Sequence, residues 1–241
     1  MNLLIPMAGA GQRFVDAGYI TPKPLIDVDG LPMVVRVIQE AQFPTCRKIF
    51  LVQEDHIRNF RVASVLLDHF PDCHIIPVQG VTEGAACTTL LARELINNSD
   101  PLVIMNSDQI IHWDCEGGLE WMLSEPSDGG IVTFQDRDRN PKWSFAQVED
   151  NWITRVAEKD PISEWATAGI YVWKQGSDYV HAAEQMILNN VRVNGEFYVC
   201  PVYNTAIQEG LRFRTFSVQE MMGLGTPEDL CLYHKRLKVG L

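Results

Sequence analysis

The sequence predicts an α/β fold, one domain on a mainly parallel sheet with a small β-rich lobe in its second half. Three observations carry this expectation. Short apolar runs alternate with longer amphipathic stretches up to about residue 128. The spacing between runs is that of strand–helix–strand units, which pair in parallel through right-handed crossovers. Beyond residue 128 the runs shorten and their connections tighten, as in a mixed or antiparallel part.

Taken in order, Leu3–Met7, Lys48–Gln53, His74–Val78 and Leu102–Asn106 read as buried strands, each an apolar run bounded by turn residues. Between them Pro32–Ala41, His56–Phe70 and Gly84–Asn97 carry apolar residues at helical spacing. Ile131–Gln135, Ser144–Glu149, Trp152–Ala157 and Thr167–Trp173 form the shorter strands, and helices return at Ser177–Asn190, Glu196–Gln208 and Glu228–Lys238. The last follows Thr226 and Pro227, a cap and a first-turn proline, and it opens with two acids at the positive helix end. Residues 1–241 therefore read as a single domain, with a first half over 1–128 and a second over 129–241.

Composition excludes several classes. The chain has 241 residues, and 20 Lys+Arg against 31 Asp+Glu give a formal charge of −11. Nucleic-acid binding draws on clustered cations, so this balance argues against it. No apolar stretch approaches the roughly 18 residues that cross a bilayer, and no basic region precedes the first apolar residues as in a secretory signal. With 46% hydrophobic residues spread along the chain, disorder is excluded. The six cysteines are scattered and form no C-x-x-C pair, which reads as reduced thiols of a cytoplasmic protein. The histidines are equally dispersed and give no zinc spacing.

Chemistry concentrates in a few places. The segment Pro6–Phe14, PMAGAGQRF, follows the first strand. Gly9 and Gly11 let backbone N–H groups approach a phosphate closely, and Arg13 adds charge. A dinucleotide fingerprint fails, because Phe14 stands where the third glycine belongs and Pro22 and Pro24 bar the helix that should follow. A Walker loop fails for want of Gly-Lys-Ser/Thr. Lys23, held between those two prolines, sits in a restricted backbone that fixes one ammonium in place. Asp108 closes an apolar strand, where open α/β sheets place ligands. Asp27–Gly30 is a turn signal, Asp136–Arg139 a solvated loop, and the six tryptophans are dispersed as core and pocket-wall residues.

Taken together, the glycine loop and Pro22–Leu25 resemble the signature G-x-G-x-R…P-K-P-L of the sugar-phosphate nucleotidylyltransferases, and the likeness runs from Leu3 to about Leu232. The resemblance implies a Rossmann-like, GT-A-type three-layer sandwich with a mostly parallel mixed sheet and a β-rich acceptor lobe. It implies transfer of a nucleotidyl group from an NTP (CTP, UTP, dTTP or GTP) to a sugar phosphate or other small phosphorylated acceptor, with release of pyrophosphate. In it, Ala8, Gly9, Ala10 and Gly11 would cradle the nucleotide and Gln79 and Gly84 would contact the base. Arg13, Lys23 and Asp108 would be catalytic, with Asp108 the ligand of Mg²⁺. Glu158, Lys159 and Gly169 would face the acceptor, joined by Glu196 and Trp143 as pocket residues. The runs Asn194–Tyr198 and Pro201–Asn204 resemble a narrower branch associated with capsule and surface-polysaccharide biosynthesis.

One position departs from the family pattern. Gly223 stands where many relatives carry a second metal-binding aspartate. Two other functions stay open beside the resemblance. A GT-A-type glycosyltransferase usually needs an acid where Asn106 stands, and a non-catalytic nucleotide-sensing module fits the loss at Gly223. The partners expected are an NTP and a small phosphorylated acceptor, with no nucleic acid and no membrane insertion, and a homodimer is left open.

Overall fold

The computed structural model describes residues 1–239. The chain opens on β1 (Asn2–Pro6), and the glycine loop then turns into a short α1 (Gln12–Asp16) that the periodicity does not signal. A 3₁₀ turn over Lys23–Leu25 leads to a minimal hairpin, β2 (Asp27–Val28) and β3 (Leu31–Pro32), turned by Asp29 and Gly30 at positive φ. Next come α2 (Met33–Glu40) and β4 (Arg47–Gln53), close to their expected bounds. The expected helix His56–Phe70 is two helices, α3 (Glu54–Phe60) and α4 (Val62–His69), because Arg61 at φ 55 leaves the helical region. After β5 (His74–Val78), Gly84–Asn97 likewise divides into α5 (Ala85–Leu90) and α6 (Arg93–Ile96). The first half ends with β6 (Leu102–Met105), β7 (Gln109–Ile111) and α7 (Cys115–Leu123), whose N-cap Asp114 accepts from Gly117 N at 3.0 Å.

The second half contains β8 (Gly129–Gln135), β9 (Ser144–Glu149), β10 (Trp152–Glu158) and β11 (Trp165–Trp173), then α8 (Gly176–Leu188). The expected helix Glu196–Gln208 begins only at Val202, as α9 (Val202–Gln208). Ahead of it, Val193 and Glu196 exchange both backbone hydrogen bonds at 3.0 Å, so residues 193–196 form a tight turn, with Asn194 and Gly195 both at positive φ. The chain closes with β12 (Phe213–Val218), β13 (Met221–Gly223) and α10 (Pro227–Val239).

The main sheet has nine strands among the described residues, and its central path runs β5-β4-β1-β6-β11-β8-β12. Only β11 runs against its neighbours on this path. Along β1, fully buried Leu3 and Ile5 face one core and Leu4 the other, the alternation of a strand covered on both faces. Helices α2, α4, α7 and α10 contribute to the first core, and α5, α6, α8 and α9 to the second. The result is a three-layer α/β sandwich.

The long β11 decides where the crevice lies. Its C-terminal half pairs with β6, whereas Ala166 in its N-terminal half pairs with Phe145 of β9. Between the halves the register against β8 shifts from Thr167 to Tyr171, around Gly169 at φ 74. The β9–β10 hairpin therefore leaves the sheet just beyond the carboxyl ends of β1 and β6, where ligands of open α/β sheets bind.

Candidate active site

The glycine loop and the lysine segment are packed on each other. The Ala8 carbonyl accepts from Gln53 Nε2 at 2.7 Å, fixing the loop's start. Gly11, at φ 63, caps α1, and a Cβ there would lie 3.3 Å from Lys23 Cβ. Buried Phe14 anchors the helix by an edge contact on Tyr19, ring centroids 5.1 Å apart. Pro22 and Pro24 are buried on either side of Lys23. The Lys23 ammonium donates to Asp108 Oδ2 at 2.7 Å, with side chains 22% and 23% exposed, so the pair is shielded yet still open to a ligand. Asp108 in turn is tied to the chain's C-terminal part, since its carbonyl accepts from Leu224 N at 2.7 Å. A Cβ on Gly225 would stand 3.2 Å from Asp108 Oδ2, so glycine there keeps side-chain atoms off the oxygen that Lys23 holds.

Two cavities adjoin at Ala85. The first, of about 300 Å³, is bounded by Ala8, Gly9, Val78, Thr82, Gly84 and Glu196 among others. Gly84 adopts φ 131 because its α-carbon lies against the Phe197 backbone, where a Cβ would come within 2.4 Å of the carbonyl oxygen. Ala10, Gly11 and Gln79 lie outside this lining, and Gln79 is exposed.

The second cavity, of about 600 Å³, brings together Arg13, Asp108, Trp143, Glu158 and Lys159. Burial pushes the Glu158 carboxyl above its ordinary value, opposed by the Ser144 hydroxyl that donates to it and by the Lys159 charge. The Lys159 ammonium donates to Tyr198 Oη at 2.6 Å and lies over that ring. Asn106, Gln109, Lys142, Ser144, Tyr198 and Asp229 also line this space, and sequence reasoning missed them as site residues. Their signals were local: Asn106 and Gln109 flank Asp108, Lys142 precedes Trp143, and Asp229 lies in the helix-capping run.

Two acceptor-side assignments take other places. The space against the Gly169 α-carbon is filled by Gln109 Oε1 and Asn106 Nδ2, which a Cβ would overlap, so this glycine makes room for side chains under the cavity floor. Glu196 lines the smaller cavity, because the turn at 193–196 replaces the expected helix start and carries it towards Gly84. At Gly223 the missing side chain has a packing reason. A Cβ there would meet Trp143 Cη2 at 3.2 Å, with Asp229 Oδ2 beyond it at 3.8 Å. Among the described residues no three His, Cys, Asp or Glu side chains gather into a ready metal cage.

A sequence profile for nucleotidyl transferases matches residues 3–193. The chain belongs to the nucleotidyl transferase family. It is 21% identical to the mannose-1-phosphate guanylyltransferase catalytic subunit beta of Drosophila pseudoobscura pseudoobscura, over 98% of this chain and 63% of that protein. It thus spans less than two thirds of that relative. A nucleoside-diphosphate-sugar pyrophosphorylase from Vibrio cholerae RC9 superposes with a TM-score of 0.81 at 25% identity, over 97% of this chain and 99% of that one. An inositol-1-phosphate CTP transferase from T. maritima shares the fold, with a TM-score of 0.73 at 16% identity over 99% of this chain and 95% of its own. In this family member the glycine loop runs from one cavity to the other, Gly9 lining the first and Arg13 the second. No helix among the described residues is long and apolar enough to cross a membrane.

Proposed function

We propose that this chain transfers a nucleotidyl group from CTP, UTP, dTTP or GTP to a sugar phosphate or other small phosphorylated acceptor, releasing pyrophosphate. The observation that carries this reading is the adjoining pair of cavities, with one loop spanning both and Asp108, which Lys23 holds from behind the lining, sharing the larger one with Arg13. A nucleoside fits the smaller cavity and a phosphorylated acceptor the larger, so the α-phosphorus would lie where they meet.

The chemistry asks little of a base. An oxygen of the acceptor phosphate, already anionic, forms the new bond to the α-phosphorus, while the bond to the bridging oxygen breaks and pyrophosphate leaves. Catalysis then rests on position and charge. The Lys23 ammonium, held by two buried prolines, stabilises charge growing at the α-phosphoryl group. Arg13, exposed on the cavity wall, takes the departing phosphates. Lys159, steadied by Tyr198, orients the acceptor phosphate, while Glu158, held by the Ser144 hydroxyl, accepts hydrogen bonds from the acceptor's remaining polar groups. The site's donor set suits Mg²⁺, because Asp108 offers hard carboxylate oxygens and only Oδ2 is held by Lys23. With no protein cage, Mg²⁺ would be held by Asp108, phosphate oxygens and water, and when bound it supplies neutralisation of the triphosphate charge.

The runs at Asn194–Tyr198 and Pro201–Asn204 support placing the product in capsule or surface-polysaccharide synthesis, and the six free thiols support a cytoplasmic setting. The test is a pyrophosphate-release screen of all NTPs against phosphorylated sugars, alcohols and amino-acid derivatives, with and without EDTA. Chelator-sensitive release with one acceptor class is the expected result. Consumption of a nucleotide-sugar without pyrophosphate would make the chain a glycosyltransferase, and tight NTP binding without turnover a sensing module.

A further inference from the structure

The nucleotide cavity carries an acid that the transfer reaction leaves unused. Glu196 lines it together with Ala8, Gly9, Thr82 and Gly84, and its carboxylate has no hydrogen bond or ion pair among the described residues. Glu196 is exposed and its carboxylate hydrated, but beside a polyanion, in a chain of net charge −11, it is repulsive unless it receives hydrogen bonds from the ligand.

Its position is braced from several sides. The Glu196 backbone exchanges two hydrogen bonds with Val193, and Phe197 N donates to Glu83 O at 2.9 Å. Arg192 donates to Gly195 O at 2.9 Å, pairs with Glu83 and stacks on the Phe197 ring with its guanidinium carbon 4.0 Å from the centroid. The 193–196 turn is thereby locked onto the loop that precedes Gly84.

The neighbouring hydroxyls are already committed. Thr82 Oγ1 donates to Gly84 O at 3.0 Å, and it lies 2.6 Å from Thr88 Oγ1, which is itself 3.3 Å from the same carbonyl. Neither threonine has a proton left for a ligand, so the side chains on this wall present acceptors. A matching ligand edge must donate N–H groups.

We infer that Glu196 reads the nucleobase by accepting from an amino group, so that the chain selects an amino-bearing base over a keto pyrimidine. Cytosine, guanine and adenine each offer such donors. Uracil and thymine offer only N3–H, set between the O2 and O4 acceptors, and the repulsion of those two carbonyls by the carboxylate is as selective as the attraction. The inference rests on the smaller cavity being the nucleotide half of the proposed reaction. It adds a specificity residue, outside the loop that carries Gln79.

The experiment measures kcat/KM for CTP, GTP, ATP, UTP and dTTP in the wild type and in Glu196→Gln, with equilibrium binding of the same five nucleotides alongside. The wild type should favour one amino-bearing triphosphate, and the three amino arms identify which base it is. Glu196→Gln should lower kcat/KM for that nucleotide by about 10-fold, because the amide oxygen still accepts but without the charge that strengthens the bond, and narrow its lead over UTP. A wild type that prefers UTP or dTTP overturns the assignment. So does a Glu196→Gln protein, folded by thermal melt, that keeps the wild-type order of bases while losing discrimination between CTP and dCTP, which would make Glu196 a ribose contact. If no NTP releases pyrophosphate, the transfer reading fails, while the binding series still decides base selection.

Discussion

Replacing Gly84 by alanine tests the joint between the smaller cavity and the turn that bears Glu196. The backbone at Gly84 has φ 131 and ψ 171, a region open in practice to glycine alone, and holding alanine there costs about 1–3 kcal/mol. The new Cβ would fall 2.4 Å from Phe197 O and 2.5 Å from Phe197 N. Restoring an ordinary contact of about 3.3 Å moves the Phe197 backbone by roughly 0.9 Å. That movement breaks or weakens two hydrogen bonds, Ala86 N to Phe197 O and Phe197 N to Glu83 O, both 2.9 Å. Each contributes about 1 kcal/mol, so the expected loss of stability is about 3–5 kcal/mol altogether. Urea unfolding of wild type and Gly84→Ala measures it directly, and the KM for NTP should rise while the KM for acceptor changes less. A variant within 0.5 kcal/mol of wild type by that assay refutes the reasoning, because the close approach would then not constrain this backbone.

Three further changes probe the site. Lys23→Ala should lower kcat for pyrophosphate release by about two to three orders of magnitude, as loss of other preorganised charge stabilisers does, and unchanged turnover would sink the assignment. Lys159→Ala should raise the acceptor KM about 10- to 100-fold and leave the NTP KM near wild type; equal effects on both substrates would remove its acceptor role. Glu158→Gln concerns pH. Burial raises this carboxyl, so the fold favours its neutral form; that stabilisation is complete below the ordinary glutamate value and disappears as pH climbs through the raised one. At neutral pH the variant should therefore melt higher than wild type, with the gap closing in acid, and a lower melting temperature at neutral pH would contradict the burial argument.

Much of the fold was legible because strand and helix periods are local properties. The runs of β1, β4, β5 and β6 announce themselves as buried strands, and the glycine loop with Lys23 between its prolines stands out as the candidate phosphate site. What escaped was set by partners distant in sequence. Residues Phe213–Val218 become β12 through parallel pairing with β8, some 80 residues earlier. Arg61 breaks a helix whose apolar pattern runs on unbroken, since the pattern records which face is buried and not where the backbone changes hand. At the site the same division holds. By itself the sequence determined the layered α/β class, the loop, and the identities of Arg13, Lys23 and Asp108 as the groups to watch. Only the tertiary structure decided that Lys23 and Asp108 meet as an ion pair, that Gly169 gives its space to Asn106 and Gln109, and that Glu196 lines the smaller cavity. The physical reason is that each outcome depends on packing between segments far apart in the chain, where one close backbone approach, such as Gly84 on Phe197, redirects a whole turn.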